Sequence, residues 1–378
     1  MIENEPPDVS AVLDRIRPAV RRLLPYHVGG IEDPPVKLNQ NESPFDVPDE
    51  LKKRIVDAFR DVPFNRYPAE QPDLLARAYA EYVGWTPDGV LVGNGSNELT
   101  YTLGLTIIEK DTPVVMPRPM FALYTTVVRL HEGELIEIPP RDDFSFDASA
   151  ILRAVRDRDP SLTVLTTPNN PTGLAMSFGE VEAIVDAASG FVVIDEAYVE
   201  FAEDPCGLAL LRKHPNVIVL RTLSKAWGLA GLRLGFMLAW PEVISEILKA
   251  RLPFMVNRLA QHTAMTLLHQ PDALADRARQ LKSGCDMLTR SLQNIDGVEA
   301  IPSQTNFVLF RTLVEPSKLM NRLAESGVLV RSMAGYPELK GFLRVNAGTE
   351  IENNTFLLAL QSALPDHDYR RQVEPPDA

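Results

Sequence analysis

Val217-Ile218-Val219-Leu220-Arg221-Thr222-Leu223-Ser224-Lys225-Ala226-Trp227-Gly228-Leu229-Ala230-Gly231-Leu232-Arg233-Leu234-Gly235-Phe236 joins an apolar run to a lysine flanked by hydroxyls, a glycine-rich bend and an arginine. The run Val217–Leu220 is short enough to be a buried strand. Lys225 then stands near the C-terminal end of that strand, the edge where α/β proteins gather their sites. Thr222 and Ser224 offer hydroxyls and Arg233 offers a planar, two-toothed donor, so the segment suits an anionic group.

The same grammar recurs on either side. Val90–Val92 precedes Gly93-Asn94-Gly95-Ser96-Asn97-Glu98, a glycine-rich loop that opens a helix. Pro113–Met116 and Glu134–Ile138 read as strands, with a helix containing Phe121 and Tyr124 between them. Leu162–Thr166 ends in Thr167-Pro168-Asn169-Asn170-Pro171-Thr172-Gly173, and Phe191–Ile194 ends in Asp195-Glu196-Ala197-Tyr198. Helices alternating with short apolar strands predict an α/β domain, with Leu234–Leu238 closing its sheet. After about residue 250 the pattern changes. A long helical stretch from Asn257 to Asn294 leads to strands at Asn306–Phe310, Val328–Arg331 and Phe342–Val345, a smaller α+β domain. At the start, Val12, Ile16, Val20 and Leu24 recur at helical spacing and predict one amphipathic helix over Val9–Leu24.

A chain of 378 residues can bury a large core and divide into two domains. A net charge of -13 argues against nucleic-acid and anionic-membrane partners. Cys206 and Cys285 have no metal-ligand spacing, and two isolated thiols point to a reducing compartment. The acidic start Met1-Ile2-Glu3-Asn4-Glu5 lacks the basic-then-apolar pattern of a signal peptide, so a cytoplasmic location is expected. No apolar run approaches membrane-spanning length.

A lysine beside a phosphate cradle suits pyridoxal phosphate: the amine forms a Schiff base and the cradle holds the phosphate. Asp195 ends a very apolar strand, where a carboxylate is costly without a cationic partner, and a protonated pyridine nitrogen is such a partner. Tyr198 and Asn170 can both hydrogen-bond a phenolic ring oxygen. The backbone N–H groups of Ser96 and Asn97 open a helix and suit a phosphate. Phe121 can stack on the ring. Singly, Asp195 also reads as a helix N-cap, Gly93–Gly95 as a plain turn, Asn170–Gly173 as a structural turn and Phe121 as core. What those readings leave unexplained is the joint occurrence, in one order, of a phosphate loop, a turn Asn, a strand-end Asp and a strand-end Lys with a following Arg, each after an apolar run.

In order and spelling, these motifs resemble the fold-type I pyridoxal-phosphate aminotransferases, and more narrowly the histidinol-phosphate aminotransferase family. The resemblance covers roughly residues 20–360. It rests on Ser224-Lys225 with Gly231-Leu232-Arg233-Leu234-Gly235-Phe236, on Pro168–Gly173 and on Asp195–Tyr198. Leu38-Asn39-Gln40-Asn41-Glu42, Asn65-Arg66-Tyr67-Pro68, Phe254-Met255-Val256-Asn257 and Phe342-Leu343-Arg344-Val345 point to the narrower branch. It implies an N-terminal arm (1–35), a large cofactor domain (36–255) with a mainly parallel seven-stranded sheet between helices, a small α+β domain (256–365) completed by the N-terminal segment, and a disordered tail (366–378).

By the same resemblance Lys225 carries the Schiff base and shuttles a proton between the substrate Cα and the cofactor C4′. Asp195 pairs with the ring nitrogen, while Tyr198 and Asn170 hold the ring oxygen. Ser96, Asn97, Thr222, Ser224 and Arg233 hold the phosphate, and Tyr67 reaches the cofactor phosphate of a neighbouring subunit, making an obligatory homodimer. Arg344 anchors the substrate's anionic end, with Arg331 and Tyr26 as secondary contacts. One guanidinium can serve glutamate's carboxylate and histidinol phosphate's phosphate alike. Two positions depart from the family: Asn97 stands where Asp is usual, and Phe121 where Tyr is usual. No metal is implied.

The implied reaction exchanges an amino group between L-histidinol phosphate and 2-oxoglutarate, a step of histidine biosynthesis. Three rivals share the motifs: an aromatic amino acid aminotransferase, a decarboxylase of a phosphorylated amino acid, and a non-catalytic ligand sensor built on the same fold.

Overall fold

The computed structural model describes residues 9–25 and 34–364. Seven strands form the larger sheet, in the spatial order Val90–Gly93, Gly235–Leu238, Val217–Thr222, Phe191–Asp195, Leu162–Thr166, Pro113–Pro117 and Glu134–Ile138. Gly235–Leu238 is antiparallel to both neighbours, and the other six are mutually parallel. The mainly parallel seven-stranded sheet is therefore present. The segment expected to close it is instead its second strand, because the bend after Lys225 returns the chain beside the strand it has just left.

Both faces of this sheet are covered, which is why its central strands read as unbroken apolar runs. Val192 and Ile194 point into one core with Ile151, Val181 and Ile184 of the helices Ala148–Arg158 and Phe178–Ala187. Val193 points into the other with Leu99, Leu103 and Val127 of Ser96–Ile107 and Leu123–Leu130. Each such fully buried side chain is worth about 1.5–3 kcal/mol, enough to carry polar groups at the strand ends. Register puts those ends on one edge: Thr166 pairs with Asp195, Thr222 with Gly235, and Gly235 with Gly93.

The second sheet is antiparallel, in the order Arg331–Ser332, Phe342–Asn346, Phe307–Thr312 and Val298–Ala300. Val308, Phe310, Leu343, Val345, Leu288, Phe356 and Leu360 form its core with the helices Pro271–Gln293 and Glu350–Ala363. A separate parallel pair joins Val36–Lys37 to Val328–Leu329. The predicted single strand Val328–Arg331 is thus divided at Val330, one half in each sheet.

One helix prediction needs correction and the long helical stretch resolves into two helices, both at prolines, which cannot continue a helical hydrogen-bond ladder. Val9–Leu24 is two one-turn helices, Ser10–Leu13 and Pro18–Arg21, split before Pro18. Its expected apolar face is open, with Val12 70% and Leu24 92% exposed. The long stretch from Asn257 is two helices, Arg258–Leu268 and Pro271–Gln293, split at Pro271. Arg258–Leu268 packs its Ala260, Ala264 and Leu267 into the core of the larger sheet. No helix among the described residues is long and apolar enough to cross a membrane. The predicted tail 366–378 and Tyr26 lie outside the described residues.

Candidate active site

The edge where the strands end is built around a cup. Gly95, in a left-handed conformation with φ 81°, precedes the helix Ser96–Ile107, so the backbone N–H groups of Ser96 and Asn97 open that helix. A Cβ on Gly95 would lie 2.5 Å from Arg233 Nη2, and one on Gly235 would lie 2.3 Å from the Ser96 backbone nitrogen. Only glycine lets the two chains approach this closely. Ser224 Oγ lies 3.0 Å from the Thr222 hydroxyl and 3.5 Å from Arg233 Nη1. Donors from three segments thus converge on one small space.

Lys225 follows the cup. Its Nζ donates to the Gln40 carbonyl at 3.2 Å and lies 6.0 Å from the centre of the Tyr198 ring. Burial, with Arg344 and Arg233 nearby, lowers its pKa to about 8, partly opposed by Glu42. Asp195 is buried at the end of its strand, accepting hydrogen bonds from the Tyr124 hydroxyl at 2.7 Å and the Ala197 N–H at 3.1 Å. Burial nonetheless raises its carboxyl to about 6. No basic side chain among the described residues pairs with Asp195. Glu196, one residue on, has the opposite fate: it faces away and takes both Nε and Nη2 of Arg221 at 2.9 and 2.7 Å.

Tyr198 is buried, and its oxygen accepts from Asn41 Nδ2 at 2.8 Å. Burial pushes its phenol up to about 12. Arg344 donates through Nη1 to Asn170 Oδ1 and through Nη2 to the Asn39 carbonyl at 3.3 Å. It lies 5.0 Å from the centre of the Phe307 ring. Arg331 sits directly opposite Arg344 in the antiparallel register.

Ser96, Asn97, Phe121, Asn170, Asp195, Tyr198, Thr222, Ser224, Lys225, Arg233, Arg331 and Arg344 all line one cavity of about 870 Å³. Tyr67 does not. It is 78% exposed, with its ring stacked on Phe254 at 4.9 Å. Sequence reasoning gave no role to Tyr124 as partner of Asp195, to Gln40 at the lysine, or to Asn41 behind Tyr198. The one available signal was the polar run Leu38–Glu42, too rich in amides for an ordinary loop beside a strand. It also gave no role to Met320, Asn321 and Ala324 of the helix Pro316–Glu325, which close the cavity from the second sheet.

These residues fit pyridoxal phosphate. The donors of the cup suit a dianion. Asp195 is a buried carboxylate awaiting a cation. Asn39 Oδ1 and Asn41 Oδ1, on residues lining the cavity, are buried without a hydrogen-bond partner. The model of the aminotransferase class I and II family matches residues 33–360. The chain belongs to that family. Among its aminotransferase relatives, the histidinol-phosphate aminotransferase of Chlorobaculum tepidum is 41% identical over 346 residues, 92% of this chain and 99% of that one. The enzyme of the same name from Chlorobaculum parvum is 40% identical over 347 residues, covering 92% and 98%. The crystal structure of histidinol-phosphate aminotransferase from Sinorhizobium meliloti in complex with pyridoxal-5'-phosphate superposes with a TM-score of 0.84. It has 27% identity and covers 92% of this chain and 97% of its own. Family membership and that complex imply pyridoxal phosphate as this aminotransferase's cofactor.

Proposed function

We propose that this aminotransferase moves the amino group of L-histidinol phosphate to 2-oxoglutarate, giving imidazole-acetol phosphate and L-glutamate. The observation that carries the reading is the pair Arg331 and Arg344, directly opposite on neighbouring strands of the cavity wall. Each guanidinium offers a planar, two-toothed donor that matches a carboxylate or a phosphate. The anion-binding cup around Ser96 is a separate feature, suited to the cofactor's own phosphate, so a second anion site fits a phosphorylated or carboxylated substrate. The name carried by the relatives at about 40% identity supports the same substrate.

Ser96, Asn97, Thr222, Ser224 and Arg233 would hold the cofactor phosphate, Asp195 its ring nitrogen, Tyr198 and Asn170 its ring oxygen, and Phe121 a ring face. Bound there, pyridoxal phosphate supplies an electron sink that makes a substrate Cα–H bond acidic. Lys225, with its amine lowered to about 8, is neutral often enough near pH 7 to take that proton as a base. Asp195, with Tyr124 donating to it, holds its negative charge toward the ring nitrogen. Tyr198 accepts from Asn41, which leaves its own proton free to point into the cavity. Arg344, fixed by Asn170 and Asn39, orients the substrate's anionic end.

We further propose a homodimer with shared sites, in which Tyr67 completes the neighbour's phosphate cup. Its exposed ring, stacked on Phe254, supports that role. Tyr26 would contact substrate. The smaller sheet, with Val36–Lys37 added, would act as a second domain, and the protein would work in the cytoplasm. The test is turnover of histidinol phosphate and of phenylalanine, each with 2-oxoglutarate, alongside carbon dioxide release from threonine phosphate. Preference for histidinol phosphate is expected; preference for either rival would overturn the substrate.

A further inference from the structure

Glu98 lies in the first turn of the Ser96–Ile107 helix, immediately behind the cup. Its side chain folds back on the loop. Oε2 accepts the Asn94 N–H at 3.0 Å, and Oε1 accepts the Thr102 hydroxyl at 2.9 Å. A Cβ on Gly93 would lie 2.7 Å from Oε2, so the carboxylate is pressed against the backbone that shapes the cup. A helix N-terminus favours one negative charge, and a carboxylate already there competes with an arriving phosphate and repels it. Left alone, Glu98 would weaken the site it helps to shape.

Arg251 answers that charge. Its side chain is 1% exposed. Nε and Nη2 face Glu98 Oε1 and Oε2 at 3.3 and 3.4 Å, a two-toothed pair. Nη1 donates to Gln71 Oε1 at 2.7 Å. The arginine arrives from the segment that continues through Leu252 to Phe254, whose N–H donates to the Glu70 carbonyl at 3.3 Å and whose ring stacks on Tyr67. None of these side chains lines the cavity.

We propose that Arg251 is a positioning residue for the cofactor phosphate. It cancels the Glu98 charge behind the cup, and it ties the cup to the segment bearing Tyr67 and Phe254. This rests on the reading of the Ser96 cup as the phosphate site. It makes a prediction that a purely structural ion pair does not: the benefit depends on the ligand's phosphate.

The test uses the full-length protein stripped of cofactor, with dissociation constants measured for pyridoxal phosphate and for pyridoxal, the same ring without the phosphate. Arg251→Met is expected to weaken pyridoxal phosphate about tenfold and pyridoxal less than about twofold. Adding Glu98→Gln to Arg251→Met removes the offending charge and is expected to restore most of the loss. Equal losses for both ligands, or no recovery in the double variant, would overturn the proposal. If Arg251→Met does not fold, Glu98→Gln alone carries the test. It leaves a positive charge behind the cup, so pyridoxal phosphate should bind more tightly with pyridoxal unchanged; equal or weaker phosphate-ligand binding would overturn it. Arg233→Met, on the open side of the cup, tests the underlying reading separately. If it leaves the preference for the phosphorylated ligand intact, the cup is not the phosphate site, whatever Arg251 does.

Discussion

Asp195→Asn should make the cofactor-free protein more stable while abolishing its activity. Burial raises the Asp195 carboxyl from the ordinary 3.8 to about 6, even with the Tyr124 and Ala197 hydrogen bonds pulling it down. One pKa unit is worth 1.36 kcal/mol, so keeping the group ionised in the folded chain costs about 3 kcal/mol at neutral pH. The sign follows from which state holds the proton more tightly. The folded carboxyl does, so stability is lost as pH rises from the unfolded value near 4, and the loss is complete above about 6. Asparagine carries no such cost. Its amide can still accept from one of the two donors, and the Tyr124 hydroxyl can turn to accept from the other end.

The assay is urea unfolding of both cofactor-free proteins at pH 5 and pH 8. The variant should lead at both, by a margin about 1 kcal/mol larger at pH 8. A cation opposite Asp195 should erase the parent's deficit, so saturating pyridoxal phosphate is expected to stabilise the parent more than the variant. A margin that does not depend on pH, or a variant no more stable than the parent at pH 8, would refute the reasoning. Asp195 would then be stabilised by something other than the cation it lacks.

Four further outcomes are expected. Because the Lys225 amine is lowered to about 8, chiefly by burial, capture of pyridoxal phosphate by the stripped protein should quicken with pH and level off above about 8, followed as growth of visible absorbance. Arg344→Lys removes planar, two-toothed pairing and should cut kcat/KM by about 1.5–3 kcal/mol for glutamate and histidinol phosphate alike; a loss confined to one donor would refute a shared anchor. Gly235→Ala puts a methyl 2.3 Å from the Ser96 nitrogen, and should cost about 1–3 kcal/mol of stability together with cofactor affinity, read by denaturation and by titration. Arg221→Met leaves Glu196 buried without its cation and should cost about 3–5 kcal/mol of stability, with Arg221→Met/Glu196→Leu recovering part of it.

The parts of the site that could be read from sequence are those a strand delivers at its own end. Asp195, Lys225 and the Asn170 turn each follow an apolar run, and a sheet buried on both faces forces such runs to be apolar throughout. A polar residue at the boundary therefore announces the edge of the sheet. The parts that could not be read are the partners met across it. Asn41 and Tyr198 lie 157 residues apart, and Arg251 and Glu98 lie 153 apart. Nothing local says that either pair will touch. Spacing also misread the N-terminal segment: Val12, Ile16, Val20 and Leu24 have helical period, but Pro18 interrupts the ladder and no core among the described residues receives them. Neighbouring acids show the limit most sharply. Asp195 and Glu196 are chemically alike, yet one serves the cavity and the other an internal ion pair, a division set by which face each side chain takes.

The short strand Val36–Lys37 gives this long-range pairing a functional meaning. It runs parallel to Val328–Leu329, and the chain continues from each into the cavity. On one side follow Gln40, whose carbonyl accepts from Lys225, and Asn41, which donates to Tyr198. On the other follows Arg331, opposite Arg344. The Leu38 N–H donates to Leu329 and the Leu38 carbonyl accepts from Asn346, so both ladders grip the same residue. The contacts at Lys225 and the arginines proposed for the substrate's far end therefore stand on one hydrogen-bonded piece. A shift of the second sheet against the first cannot move Arg331 and Arg344 without also moving Gln40 and Asn41. Substrate anchored at one end is thereby linked, through backbone hydrogen bonds rather than side-chain flexibility, to the setting of Lys225 and Tyr198 at the other.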